Sequence, residues 1–237
     1  IVTNSFGSRK RRLIENNLEK KYKNLNRLAG KLAKDAVKKS KKNILIAGSL
    51  PPQNFTYFAD LGKDLKFIKD NFKSQANCLK PFVDFFYLDV MSSYKECNIA
   101  INAILPLKKE ILIGIHLRKG GKLPSGESFI SVVKKLEKYK PLGVLASCVS
   151  VEDVSKVIKN INKIKIPFGF KINAFEHIPA GWKPDSNNPK VQLGKRKDLT
   201  PKKFLNICKK FNKSGAKIIG GCCEIKPSHI KALKHLV

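Results

Sequence analysis

Three cysteines carry the residue types and spacing that do chemistry. Cys222 and Cys223 are adjacent and follow Gly220-Gly221, while Cys148 lies far upstream, just past the apolar run Leu142 to Ala146. A thiolate is both a nucleophile and a soft ligand for zinc. Two thiolates from one turn and one from another strand end would fill three tetrahedral positions, and an open fourth position marks a catalytic rather than a structural metal site. Adjacent residues of an extended strand point to opposite faces, so Cys222 and Cys223 can share an ion only if the chain bends. Gly220-Gly221 permits such a bend. Spacing leaves a second reading open, in which Gly-Gly-Cys-Cys is a small-residue barrel lining with buried free thiols.

The elements that would position these residues follow from apolar periodicity. Ile1 to Thr3 reads as the end of a strand, and Leu13 through Ala36 traces one face of a long helix. Strands are expected at Asn43 to Ala47, Phe82 to Leu88, Ile111 to Leu117, Leu142 to Ala146, Ile166 to Ile172 and Ala216 to Ile219. Helices are expected near Tyr57 to Phe72, and at Ser93 to Ile104, Ser128 to Tyr139, the stretch capped by Ser150 and Asp153, the stretch capped by Thr200 with Pro201 at its first position, and Pro227 to Leu236. Seven strand-helix units in a row, with no glycine-rich dinucleotide fingerprint, fit a (β/α)8 barrel with parallel strands. The count is one short, so a first βα unit is expected upstream of this sequence, and residues 1–237 read as one N-terminally incomplete barrel domain. In barrels the chemistry sits at the C-terminal ends of the strands. That rule selects Cys148, Cys222 and Cys223. Cys97 and Cys208 fall within helices and Cys78 at a helix end, as packed structural thiols do.

Composition excludes several other classes. No stretch approaches the roughly 18 uninterrupted apolar residues of a membrane helix, and the first residues lack a secretion-signal pattern. The chain reads as soluble and cytoplasmic, with reduced thiols. A formal charge of +30 invites a nucleic-acid partner. Only Arg9, Arg11, Arg12, Arg27, Arg118 and Arg196 are arginines, however, and the remaining basic residues are lysines scattered over every segment. Base readout and bidentate phosphate binding favour arginine, so the charge reads as a solvated lysine surface. A basic nucleic-acid-binding protein with structural zinc stays as the rival class; it needs a fourth ligand, for which His116 and His229 are the nearest candidates.

The segment Gly215 to Glu224, with Pro227, His229 and Ile230 after it, closely resembles the closing signature of the homocysteine S-methyltransferase family. Weaker matches run in the same order through Thr3-Asn4-Ser5-Phe6, Ala47-Gly48-Ser49 with Pro51, Asp84 through Ser93, Ser125-Gly126, and Arg196 with Asp198 to Pro201. The resemblance implies a (β/α)8 barrel and methyl transfer to the thiol of homocysteine, giving methionine. It implies that Cys148, Cys222 and Cys223 bind Zn2+, and that Asp89 stands where a glutamate usually holds the amino group of homocysteine. Ser147 replaces the asparagine that usually precedes the first zinc cysteine, and Thr3 and Asn173 match substrate-binding positions at the mouth of the site. The expected partners are homocysteine and a small methyl donor. Val90 follows Asp89 where the betaine-using branch has an aromatic residue, which favours a sulfonium donor, S-methylmethionine or S-adenosylmethionine, over betaine; methylfolate, the other alternative, would imply a cobalamin module that this sequence does not contain. The departures at Asp89 and Ser147 leave a catalytically inactive barrel as an alternative. The long connection 174–199 is expected on the active face, where Trp182 would act as a lid over an onium methyl group or pack as surface loop.

Overall fold

The computed structural model describes residues 1–118, 120–179, 182 and 193–236. Six strands form one sheet: β1 (Ala47–Leu50), β2 (Phe85–Met91), β3 (Ile111–Ile115), β4 (Gly143–Val149), β5 (Phe168–Ile172) and β6 (Ile218–Gly221). They lie side by side in chain order and every pairing is parallel. Before β1 come α1 (Lys10–Ile14) and α2 (Tyr22–Ser40), and the crossovers carry α3 (Leu65–Leu79), α4 (Tyr94–Ile104), α5 (Phe129–Leu136), α6 (Val151–Val157) and α7 (Pro201–Lys213), with α8 (Pro227–Ala232) last.

Alternation along the strands sorts two populations of side chains. Phe86, Leu88, Ile113, Val144, Ala146, Phe168, Phe170 and Ile172 face the helices and join the main core with Phe72, Ile101, Phe129 and Phe204. Ala47, Tyr87 and Leu145 point the other way and form a separate cluster with Phe85, Leu112 and Ile218. The sheet curls around this second set. Asp89 on β2 bonds Lys171 on β5 at 2.7 Å, yet three strand spacings of a flat sheet would separate them by about 14 Å.

The helices begin where short polar side chains take up their free N–H groups. Asp64 accepts from Phe67 N at 2.8 Å, Ser93 from Glu96 N at 3.1 Å, Ser150 from Asp153 N at 3.1 Å and Thr200 from Lys203 N at 3.3 Å. Pro201 occupies the first turn of α7, whose Phe204, Cys208 and Phe211 are buried.

Several boundaries differ from the sequence expectation. The strand expected at Ile1 to Thr3 contracts to a single parallel bridge between Val2 and Ala47, held by Ala47 N to Ile1 O at 2.8 Å and Thr3 N to Ala47 O at 2.9 Å. The strand expected from Asn43 begins only at Ala47, because Ile46 N donates to the Asp84 carboxylate at 2.6 Å instead of to a neighbouring strand. The helix expected from Tyr57 begins at Leu65: Tyr57 has φ 70°, and the Asp60 carboxylate holds a turn through Gly62 N at 2.8 Å. Gly220 and Gly221 stay inside β6, and the turn comes one step later, where Glu224 has φ 62° and Ile225 N bonds Cys222 O at 3.1 Å. Gly221 is needed for space, since a Cβ there would lie 2.8 Å from Ile225 Cβ.

Glu96 supplies a test of this packing. It is fully buried on α4, accepts from Ser92 N at 2.7 Å, and burial pushes its carboxyl up to about 8 against the Ser92 bond and the field of Arg9. The folded state thus keeps a proton that the unfolded chain releases near its ordinary 4.5, so stability falls as pH rises through that window. Glu96→Gln is expected to flatten the decline, which is on the order of 4 kcal/mol in the native chain. Denaturation midpoints at pH 5, 6.5 and 8 check it; parallel slopes for the two proteins would contradict it.

Candidate metal centre

Cys148 lies in β4, where simple alternation would send its side chain towards the helices with Val144 and Ala146. A bulge prevents this. Between Ser147, paired with Lys171, and Val149, paired with Ile172, β4 holds one residue more than β5, and that extra residue, Cys148, has φ 54°. Bulges re-aim side chains at the rims of barrels, and here the thiol turns to the C-terminal mouth. A second bulge follows Leu88 on β2, where Val90 has φ 70°. Left-handed geometry at a β-branched residue costs free energy and is tolerated where the surroundings impose it. Both re-aimed residues are buried with Tyr57 in one cluster, against which Phe6, Ile178, Trp182, Cys222 and Cys223 pack.

The other two thiols arrive from the end of β6. Cys222 N donates to Ile172 O at 2.7 Å and Ala174 N to Cys223 O at 2.9 Å, which ties the turn to the end of β5. The three ligand sulfurs all lie within 4.8 Å of one another. Cys223 Sγ is 3.8 Å from Cys148 Sγ and 3.8 Å from Cys222 Sγ. Two sulfurs bound to one zinc at 2.3 Å in tetrahedral geometry stand about 3.8 Å apart, so the thiols fit such an ion. Contact with Cys148 pushes the Cys222 thiol well up, with burial adding to it. Among the described residues this is the one group of three or more Cys, His, Asp or Glu side chains placed to hold a metal.

A cavity of about 590 Å³ opens over Cys148, lined among others by Tyr57, His116, Asn173, Phe175 and Glu176. Tyr57 Oη lies 3.2 Å from Cys148 Sγ. Burial pushes its phenol well above the ordinary range, so Tyr57 keeps the proton it would donate to a thiolate. Arg118 anchors this tyrosine by donating to its carbonyl at 2.8 Å. The His116 ring stands 4.4 Å from the Tyr57 ring, and burial brings its pKa down to about 4, so the wall of the cavity carries a neutral imidazole. Neither histidine joins the sulfurs. His229 is committed to the start of α8, accepting from Lys226 N at 3.1 Å through Nδ1 and facing Leu199 O at 2.8 Å through Nε2.

The remaining expected site residues are placed as follows. Asn173 reaches the centre, with Nδ2 3.8 Å from Cys148 Sγ. Thr3 is buried in strand-end hydrogen bonds, 2.9 Å from Ser5 Oγ and 3.0 Å from Ser49 N, and does not line the cavity. Asp89 lies inside the curl of the sheet with both oxygens on Lys171. Trp182 packs 6.1 Å from the Tyr57 ring; much of its loop, residues 180–181 and 183–192, lies outside the described residues. Sequence reading missed Tyr57 and Lys171. Lys171 left a signal, a lysine in the inward register of the otherwise apolar Phe168–Ile172 strand, whereas Tyr57 left none.

Six parallel strands curled over helical crossovers, with three thiols converging at the C-terminal ends of the strands, define an α/β half-barrel carrying a cysteine cluster that could bind a metal. A profile of the homocysteine S-methyltransferase family matches residues 1–237; the chain belongs to that family and is a methyltransferase. By structure it is similar to the apo form of the homocysteine methyltransferase MmuM from Escherichia coli, with a TM-score of 0.69 at 18% identity over 91% of this chain and 74% of that one. It is also similar in fold to part of pyruvate carboxylase from Rhizobium etli, with a TM-score of 0.52 at 12% identity over 90% of this chain and 19% of that one. No curated protein matches by sequence. Among the described residues no helix is long and apolar enough to cross a membrane.

Replacing Cys148, Cys222 or Cys223 singly by alanine is expected to weaken zinc uptake by at least about 100-fold, because each removes a direct ligand. Cys78→Ala, on the far side of α3, should leave uptake unchanged. Metal content after equilibrium dialysis, with circular dichroism to verify folding, checks both; a Cys223 variant that still takes up one zinc per chain would contradict the assignment.

Proposed function

We propose that this chain transfers a methyl group from a sulfonium donor to the thiol of homocysteine, with zinc held by Cys148, Cys222 and Cys223. The observation that carries this reading is the sulfur triad, of which Cys148 lines the cavity, with spacings that suit corners of a tetrahedron. The strand order, the inward-facing polar residues and the likeness to the E. coli enzyme support a (β/α)8-type barrel as the architecture.

When bound, zinc would hold the acceptor sulfur as a thiolate at its fourth position. The protein groups then do three things. Tyr57, donating to Cys148, tempers the negative charge of the ligand set. The aromatic wall of Tyr57 and Trp182 attracts an onium donor by cation-π interaction, and the neutral His116 beside it adds no repulsion. The cavity brings donor and acceptor into line. The acceptor sulfur forms a bond to the methyl carbon while the donor's sulfur-carbon bond breaks with its electron pair, which cancels the sulfonium charge. The products are methionine and a neutral thioether. On zinc in such a site the pKa of the thiol would fall and its proton would pass to solvent, so no residue of the chain is assigned as a general base. Val90, buried beside Cys148, leaves no aromatic side chain at the position after Asp89, which favours a sulfonium over betaine.

Methionine formation from homocysteine with S-methylmethionine, S-adenosylmethionine or betaine tests the reading directly. Trp182→Ala is expected to raise KM for the sulfonium donor by about 5- to 30-fold, the worth of one desolvated cation-π contact, and to leave KM for homocysteine within about twofold. An unchanged donor KM would remove Trp182 from the donor site.

A further inference from the structure

The polar cluster inside the curl of the sheet bears on how the acceptor is selected. Asp89 is buried on β2 and 3% exposed. An ionised carboxylate offers about four lone-pair sites, and this chain addresses four donors to them: Lys171 Nζ to each oxygen at 2.7 Å, Ser147 Oγ to Oδ1 at 2.9 Å and Ser49 Oγ to Oδ2 at 3.4 Å. Lys171 is the cation of that set. It stands on β5 opposite Ser147 of β4 and Gly220 of β6, one residue below the level of the cysteines. Its ammonium also lies 5.0 Å over the Tyr87 ring.

The fold makes room for this cluster. Gly114 on β3 lets the supporting bond between Tyr87 and Ser147, 2.7 Å long, pass across the sheet, since a Cβ there would lie 2.9 Å from Ser147 Cβ. Burial opposes a charge on Lys171, and its contacts with Tyr87 and Asp89 outweigh it, so the lysine is held as an ammonium.

We propose that Lys171 is a specificity-determining residue that closes Asp89 to the acceptor's amino group, so that thiols lacking an α-amino group bind this site as well as homocysteine does. A second ammonium entering beside Lys171 finds no open lone pair on Asp89 and leaves one buried positive charge uncompensated, which is strongly unfavourable. The lysine also competes from a tethered position and needs no ligand concentration to do so. Acceptor choice then rests on the sulfur at the metal and on the remainder of the chain.

The inference rests on the methyl-transfer reading above, and a binding measurement separates the two. Protein loaded with cobalt(II) in place of zinc is titrated with L-homocysteine and with 4-mercaptobutanoate, the same skeleton without the amino group, and the thiolate-to-cobalt absorption band is followed. The native chain is expected to bind both with dissociation constants within about threefold. Lys171→Met, which opens two lone-pair sites on Asp89, is expected to favour homocysteine by tenfold or more. Should that variant fail to fold by circular dichroism, Asp89→Asn in the native background decides: the ratio of the two constants stays within threefold if Lys171 already closes the carboxylate. A native chain that prefers homocysteine tenfold, or a tenfold loss of that preference in Asp89→Asn, overturns the inference and leaves thiol methylation standing. If neither thiol changes the cobalt band, both the inference and the methyl-transfer reading fall.

Discussion

The backbone of β4 at Cys148 decides whether the three thiols can meet. With φ at 54° the extra residue of the bulge faces the mouth of the sheet; in regular extended geometry the same thiol would sit among the helix-facing side chains of Val144 and Ala146, out of reach of Cys222 and Cys223. The companion bulge at Val90 works in the same layer and packs against the same tyrosine. Two left-handed, non-glycine residues at the ends of neighbouring strand pairs are costly in isolation. Tyr57, anchored by Arg118, and the hydrogen bonds from Cys222 N to Ile172 O and from Ala174 N to Cys223 O are what over-determine them here.

Next to the sulfurs the protein sets an uncharged wall, beyond which the cavity is lined by Arg118, Glu152, Asp153, Lys156 and Glu176. His116 is neutral through burial and Tyr57 keeps its proton, so the wall facing the sulfurs presents aromatic surface and a hydrogen-bond donor. One layer below, Asp89 and Lys171 cancel each other.

Much of this was legible in the residues. The alternation of strands and helices gave the parallel sheet and its order, and the rule that barrels act at the C-terminal ends of strands separated Cys148, Cys222 and Cys223 from Cys97 and Cys208, which are indeed buried in the main core. The cause of the convergence was not legible. Gly220-Gly221 suggested the bend, yet both remain in β6, and the left-handed residues are Cys148 and Glu224, whose types do not advertise it. The start of β1 was hidden because a side chain, Asp84, takes the N–H that an unbroken strand would use. Asp89 was readable as a carboxylate in the right place, but its partner lies three strands away, and long-range pairing leaves no local pattern.

Whether three protein sulfurs hold zinc and leave its fourth position to the acceptor is read from X-ray absorption at the zinc edge, recorded on the loaded protein before and after adding homocysteine. Three sulfurs at about 2.3 Å and one lighter atom are expected at rest, changing to four sulfurs with the thiol present. A resting site already saturated by four protein ligands, or one whose sulfur count stays the same when homocysteine is added, would contradict it.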